Sequence, residues 1–260
     1  MRDRAGHDAK FQNREVARVL QCIHARDVPI PRRSCRIALP SRATCVLPHI
    51  PCETIEIEAA PRAHVSRWVS EGTVSVETKA NLRLPAGARV EIRPGDAAWE
   101  QASPLFDAVW PPEVYATFSW AHVVWANAER RVLVRNATNE LVCHVGVYLR
   151  QAKWADREVR IGGVGGVITR EDARKQGHAS AAIRLAVAEM RDAGGADFAL
   201  LVCEPHNFAF YRGLGWRHFT GDLFCEQPGG RVRFDAMTPF VFDLRLAPQA
   251  GAIDLCGLPW

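Results

Sequence analysis

The chain has 260 residues, of which 48% are hydrophobic and 24% charged, as is typical of a globular protein. No apolar run reaches the roughly 20 residues of a membrane-spanning helix, and no apolar segment follows the charged N-terminus as in a secretory signal. Residues 1–80 contain 13 Lys and Arg against 9 Asp and Glu, so they account for the whole net charge of +4. The neutral remainder argues against a nucleic-acid-binding surface. We therefore expect a cytoplasmic protein with no membrane or nucleic-acid partner.

Half of the eight cysteines lie near the N-terminus. Cys22, Cys35, Cys45 and Cys52 form no Cys-x-x-Cys pair, so their spacing does not favour a zinc site. Because the sequence shows no export signal, we expect all eight cysteines to be reduced thiols and no metal to be bound.

Residues 1–84 are predicted to be an irregular N-terminal extension, and residues 85–260 a folded domain. Apolar residues at helical spacing predict one helix at 13–24, but five prolines between 28 and 53 interrupt any regular element after it. A basic tail that binds an acidic partner is one interpretation of this segment. We favour the other, a disordered extension.

The first half of the folded domain is predicted to alternate between strands and helices. A strand is expected at 88–93, and Asp96 is a plausible N-cap for the helix that follows. Pro111 and Pro112 end that helix before a short helical or loop segment. Two strands of a hairpin come next. The segments are strand 88–93, helix 96–109, helix or loop 113–120, and strands 131–135 and 140–150.

The stretch 161–190 combines a glycine-bearing strand, a polar turn and an amphipathic helix. The strand covers 161–169, the turn 170–177, and the helix starts at about residue 178. A turn of backbone amides at a helix N-terminus is an anion-binding arrangement. Gly177 is the informative residue, because a side chain there would block the close approach of an anion.

The remaining elements complete an α/β fold. An apolar run at 198–203 predicts a buried strand, 208–214 a short helix, and 217–225 and 240–246 two more strands. We therefore predict a mixed central sheet of six to seven strands flanked by helices.

Two motifs in this order resemble those of the GCN5-related N-acetyltransferase (GNAT) superfamily. Residues 174–179, RKQGHA, fit the pyrophosphate-binding pattern Arg/Gln-x-x-Gly-x-Gly/Ala, and residues 210–216, FYRGLGW, follow one strand later. The resemblance covers roughly 86–246. It implies the GNAT fold, acetyl-coenzyme A (acetyl-CoA) as co-substrate, and direct attack by an amine in a ternary complex.

The resemblance also implies which residues bind the co-substrate. The backbone amides of the turn would bind the diphosphate, with added charge from Arg174 and Lys175. An amide at the end of the preceding strand would face the thioester carbonyl. Asn207 would contact the pantetheine, and Tyr211 would donate a proton to the leaving thiolate. The turn amides are those of Gln176, Gly177, His178 and Ala179, and the strand end is Gly166, Val167 and Ile168.

The general base is left open by the sequence. Aminoglycoside 2'-N-acetyltransferases, which this chain resembles, carry a glutamate where Gly165 stands here. The candidates are His144, Glu204 and His206, each at or just after a strand that borders the expected cleft. An amine of low pKa would need only water.

The acceptor is predicted from the same resemblance. Residues 117–122 are similar to a segment of the aminoglycoside 2'-N-acetyltransferases, and those enzymes also end in a tryptophan whose terminal carboxylate faces the cationic substrate. We therefore expect Trp120 and Trp260 to bind an aminoglycoside amine, which would give antibiotic resistance. Asp156, one of several carboxylates near the expected cleft, is expected to bind the same cationic ligand. The acidic residues that precede the final tryptophan in those enzymes are absent here.

Two other functions stay open. One is acyl transfer to another amine, or from a longer acyl donor as in NodA-type enzymes. The other is a non-catalytic CoA-binding regulatory module, which the missing base makes conceivable. Homodimer formation also stays open.

Overall fold

The computed structural model describes residues 84–260, which form an α/β fold around one mixed sheet. The predicted N-terminal extension, with its helix at 13–24, lies outside these residues except for Leu84. In the described part of the chain the sheet has ten strands. Their bounds are β1 (Arg89–Pro94), β2 (Arg130–Arg135), β3 (Leu141–Trp154), β4 (Arg157–Thr169), β5 (Phe198–Cys203), β6 (Arg217–His218), β7 (Asp222–Gln227), β8 (Gly230–Arg233), β9 (Thr238–Asp243) and β10 (Ala252–Asp254).

The α-helices in residues 84–260 differ in length, and only two exceed two turns. Two short 3₁₀ turns, at Glu171–Ala173 and Pro205–Asn207, precede the third and fourth helices. None of these helices is long and apolar enough to cross a membrane. The helices are α1 (Gly95–Val109), α2 (Pro112–Tyr115), α3 (His178–Asp192) and α4 (Phe208–Gly213).

The strands follow one another in the order β6-β9-β5-β4-β3. β3 is long enough to pair with β2 along its first half and with β10 at its far end, and β10 leads on to β7 and β8. β4 and β5 are parallel, as are β10 and β7, whereas the other pairs are antiparallel. This mixed sheet confirms the predicted fold class.

The two long helices pack on opposite faces of the sheet. Val132 and Val134 of β2 join the core under α3, whereas Leu133 between them joins a cluster under α1, as the alternation of a strand requires. α3 turns Ile183 and Leu185 inward and leaves Arg184 exposed. The face covered by α1 continues into a second core.

β4 and β5 pair only where the middle of β4 meets the start of β5. Ile161–Gly163 lies beside Phe198–Leu200, and beyond these residues β4 and β5 are no longer paired with each other. The β3–β4 ladder also shifts its register between His144 and Gly146, so that Gly166 and Val167 have no partner in β3. Gly166 has φ 54°, which a bulge commonly needs and which favours glycine. The sheet therefore splits between the ends of β4 and β5.

The strand count differs from the prediction of six to seven. The predicted strand 217–225 is interrupted at Gly221, where a Cβ atom would lie 1.8 Å from the carbonyl oxygen of Gly251. Two strands were not predicted, β8 and β10, which have four and three residues. Such short strands carry little periodic signal, because pairing with distant segments determines them.

Candidate active site

The turn before α3 presents unpaired backbone amides. Gly177, with φ 91°, is the residue before the helix, and no side chain caps the helix N-terminus. The first helical hydrogen bond runs from Ala181 N to Gly177 O at 3.0 Å, so the preceding amides of the first turn have no helical acceptor. Together with the helix dipole, these donors form an anion site.

Side chains of the turn stabilise its backbone. Gln176 Nε2 donates to Asp172 O at 2.9 Å, and Arg174 Nε donates to Thr169 O at 3.2 Å. Lys175 is exposed and adopts φ 61°. His178 is only 3% exposed, its Nδ1 has no hydrogen-bond partner within the described chain, and desolvation lowers its pKa. The turn is thus shaped by its own residues, and its amides remain available.

Tyr211 lies at the open end of the split between β4 and β5. It belongs to the core under α3 and interacts electrostatically with Cys203, the last residue of β5, and with Cys143. Cys143 Sγ accepts a hydrogen bond at 3.3 Å from the Thr169 hydroxyl at the end of β4. Burial raises the pKa of Tyr211, and the two thiols raise it further. The phenol therefore keeps its proton over the physiological pH range.

His144 lies on the α1 face of β3 and is 1% exposed. Its Nδ1 is 2.8 Å from Gly166 O, and its Nε2 is 3.0 Å from an Arg131 guanidinium nitrogen. Desolvation lowers the pKa of His144 to about 3, an effect that Arg131 reinforces and the hydrogen bond to Gly166 opposes. Both ring nitrogens are thus engaged. Arg131 was not singled out from the sequence, in which it is one of three arginines in β2.

The connection after β5 carries the other two candidates for the base. Glu204 is half-buried, whereas His206 is exposed and its Nε2 is 3.0 Å from Asn207 Nδ2. The Asn207 amide therefore already has a hydrogen-bond partner, His206, on the short 3₁₀ turn that leads into α4.

A cavity of about 500 Å³ opens at the end of β5. Its apolar wall includes Phe219, Leu223 and Phe234, which belong to the second core, on the face of the sheet opposite α3. Carboxylates also line it. Arg233 Nε pairs with Asp222 Oδ1 at 2.8 Å, so one negative charge is offset. The carboxylate residues are Glu204, Asp222 and Asp235.

The three residues predicted to bind the acceptor lie in three different places. Trp120 is 7% exposed and stacks on Phe118 with ring centroids 4.6 Å apart; its neighbour Ser119 lines the cavity. Trp260 packs across Gly163, and its Nε1 donates to Leu200 O at 3.0 Å. Asp156 lies in the exposed β3–β4 turn, at the end of β4 remote from Gly166.

The glycines of β4 make room for aromatic side chains. A Cβ atom at Gly163 would lie 2.3 Å from the Trp260 indole, and one at Gly165 would lie 3.2 Å from the Tyr148 ring. Tyr148 and Trp260 stack with centroids 5.4 Å apart. At Gly165, where aminoglycoside 2'-N-acetyltransferases carry a glutamate, the space for a side chain is thus occupied by Tyr148 and Trp260.

The sequence of this domain matches a known family. Residues 92–219 match the family described as "Acetyltransferase (GNAT) domain". The chain carries a GNAT acetyltransferase domain. It is therefore an acyltransferase, and both the GNAT resemblance and the enzyme class predicted from the two motifs are confirmed. The aminoglycoside resemblance stays a prediction.

Solved structures that resemble this GNAT domain share little sequence with it. A GNAT family N-acetyltransferase from Escherichia coli, in complex with CoA, is 16% identical with a TM-score of 0.44, covering 66% of this chain and 91% of that one. A putative N-acetyltransferase from Lactobacillus plantarum is 15% identical with a TM-score of 0.40, covering 61% and 99%. No curated protein matches the sequence.

Proposed function

We propose that the GNAT domain transfers an acetyl group from acetyl-CoA to a primary amine by direct attack in a ternary complex. The observation that carries this proposal is the split between β4 and β5, bordered by the uncapped N-terminus of α3 at one side and by buried Tyr211 at its open end. The split would hold the thioester, and the amides after Gly177 would bind the diphosphate.

The acceptor would enter from the other face of the sheet. The cavity at the end of β5 lies on the face opposite α3. Glu204, the residue directly after β5, forms part of its wall. An amine held there would reach the split from the side opposite the CoA. Donor and acceptor would therefore meet without competing for space.

Glu204 is the base in this proposal. The ammonium gives a proton to the carboxylate, directly or through water, and the free amine forms a C–N bond to the thioester carbon. The C–S bond then breaks, Tyr211 protonates the departing thiolate, and the second proton lost by the new amide nitrogen restores the Tyr211 phenol by way of solvent. The products are an amide and the free thiol of CoA, and a net proton is released to solvent. His144 is left out because both of its ring nitrogens are engaged.

An aminoglycoside is the acceptor that we test first. Three carboxylates line the cavity, and Arg233 offsets one of them, which suits a ligand with several ammonium groups. The apolar wall formed by Phe219 and Phe234 equally suits an amine on an apolar body. A longer acyl donor or another amine is the second candidate.

The test measures release of the CoA thiol against a panel of aminoglycosides, polyamines, aryl-alkyl amines and peptide N-termini. Acetyl-CoA and longer acyl-CoA thioesters serve as donors in parallel. We expect saturable release with at least one amine, lowered strongly in Glu204→Gln. Binding of acyl-CoA without release for any pair of substrates would contradict the proposal, and release only with longer acyl donors would contradict its acetyl part.

A further inference from the structure

A chain of polar contacts crosses the α1 face of the sheet and ends at the bulge of β4. Arg131 Nε donates to Gly95 O at 2.9 Å, and its terminal nitrogen lies 3.0 Å from His144 Nε2. His144 Nδ1 lies 2.8 Å from Gly166 O. The chain therefore links α1, β2, β3 and β4 through buried side chains, and its last link is the carbonyl of the bulge residue.

The first contacts determine which ring nitrogen of His144 carries the proton. A guanidinium can only donate, so Nε2 must be the acceptor. The neutral ring then has its hydrogen on Nδ1, which donates to Gly166 O. A low pKa, caused mainly by burial, agrees with the neutral form. Arg131 thus selects the tautomer that can hold the Gly166 carbonyl.

The last contact orients a backbone amide on the next residue. The carbonyl of Gly166 and the N–H of Val167 belong to one planar trans peptide unit, in which the two groups point in opposite directions. When the carbonyl points toward His144 on β3, the Val167 N–H points away from β3. Val167 has no partner in β3, and β4 has already parted from β5 at this level. That amide faces the split.

We propose that His144 is a positioning residue, which through Gly166 aims the Val167 N–H at the carbonyl oxygen of the bound thioester. The inference rests on the proposed acyl transfer in the split. Negative charge develops on that oxygen as the amine attacks, and a fixed amide there stabilises the transition state more than the ground state. His144 acts without touching the substrate.

Neighbouring side chains lock this network in place. The Arg131 guanidinium lies 4.6 Å from the centre of the Trp99 ring, and the Phe106 ring meets the His144 ring edge-on at 4.9 Å. A Cβ atom on Gly166 would lie 3.3 Å from Phe106 and 3.5 Å from His144. Side chains of α1 therefore pack against the network, and they restrict the directions in which the Gly166 carbonyl can point.

The test compares His144→Leu, which removes the hydrogen bond, with His144→Asn, whose amide can still donate to Gly166 O. We expect His144→Leu to lower kcat about 10- to 100-fold, since the oxyanion donor is misplaced and not removed. The KM for acetyl-CoA should rise by no more than about fivefold, because the diphosphate contacts are unchanged and only the hydrogen bond to the thioester carbonyl is lost. His144→Asn should recover most of kcat, and exposed His122→Asn is the control. If His144→Leu fails to fold, the double variant His144→Leu with Arg131→Met removes the unpaired guanidinium.

A binding measurement separates this inference from the function on which it rests. The probes are CoA and a non-reactive analogue of acetyl-CoA in which methylene replaces the thioester sulfur. In wild type we expect the hydrogen bond to the carbonyl to favour the analogue by about fivefold, a preference that His144→Leu loses. Failure of wild type to bind either probe contradicts the proposed function. If wild type prefers the analogue and His144→Leu keeps both that preference and kcat, the positioning role is refuted and acyl transfer stands. Loss of kcat in His144→Asn as severe as in His144→Leu would also refute it.

Discussion

The two faces of the sheet near the split differ in how their parts are spread along the chain. On the α3 face, the anion-binding turn, the end of β4 and Tyr211 come from two short motifs that lie one strand apart. On the other face, the cavity is built from Ser119, Glu204 and residues of β7 and the β8–β9 connection. The difference shows that the co-substrate site is built from local sequence, whereas the acceptor site depends on how distant segments of the chain pair. Each of the following changes tests one side of that comparison.

The largest effect is expected on the α3 face, from Tyr211→Phe. Loss of the general acid should lower kcat about 100-fold or more, while acetyl-CoA affinity stays nearly constant. The ring is buried, so the change leaves its packing intact. Steady-state kinetics with acetyl-CoA and its best acceptor provide the measurement. Unchanged kcat would assign the proton to another donor.

Glu204→Gln tests the opposite face. We expect a loss of kcat of roughly 10- to 100-fold, because the neutral amide cannot take up the ammonium proton. Unlike Tyr211→Phe, this loss should shrink at high pH, where more of the acceptor is already a free amine. The pH profile of kcat/KM from pH 6 to 10 checks this. A loss that is independent of pH would indicate that Glu204 binds the amine without deprotonating it.

Gly177→Ala tests the α3 face again and should have a smaller effect, on co-substrate binding. Ala must adopt the φ of 91° that glycine takes here, a conformation that costs about 1–2 kcal/mol in an L-residue. We expect acetyl-CoA binding about tenfold weaker, with kcat at saturation changed little. Calorimetric titration with CoA measures it. Gly213→Ala is the matched control, since a Cβ atom at that glycine meets nothing within 4 Å.

The comparison also explains what the sequence could and could not predict. Strand, turn and helix at 161–190 follow from local spacing, and Tyr211 follows from its motif, so the co-substrate side could be predicted. Arg131 and His144 could not be paired from the sequence, because their proximity depends on the register that sets Arg131 beside Gly146 and Leu133 beside His144. A one-residue slip would send either side chain to the other face.

The glycines of β4 make the same point from the opposite direction. The sequence suggested that Gly165 left the site without its base. In the fold, Gly163 and Gly165 lie under Tyr148, from the paired strand β3, and under Trp260, which is distant in the sequence. A glycine at a site position can be interpreted only when the neighbouring side chain that fills its space is known. That neighbour is identified by the packing of the folded chain and not by the local sequence.

The buried His144–Arg131 network predicts a change in stability with pH. The pKa of His144 is lowered to about 3 in the folded protein, whereas the unfolded chain binds that proton near the ordinary value of 6.5. Above pH 6.5 neither state is protonated, so the group contributes nothing. As pH falls from 6.5 toward 3, only the unfolded state takes up the proton, and the free energy of unfolding should drop by about 1.4 kcal/mol per pH unit. Denaturant unfolding from pH 7 to 4 should show a shallower slope in His144→Asn; equal slopes would contradict a neutral buried ring.

The smallest effect is expected from Asp156→Asn. Asp156 was predicted to bind the acceptor, yet it lies in the β3–β4 turn, about ten residues along β4 from Gly166, which in a strand corresponds to roughly 30 Å. The Asp156 side chain is exposed and is not among the residues that line the cavity, so kcat/KM should change less than about twofold. Asp235→Asn, at the cavity, is the comparison and should weaken binding of a cationic acceptor. A larger loss in Asp156→Asn than in Asp235→Asn would move the acceptor to the other end of the sheet, and Glu204 could then no longer be its base.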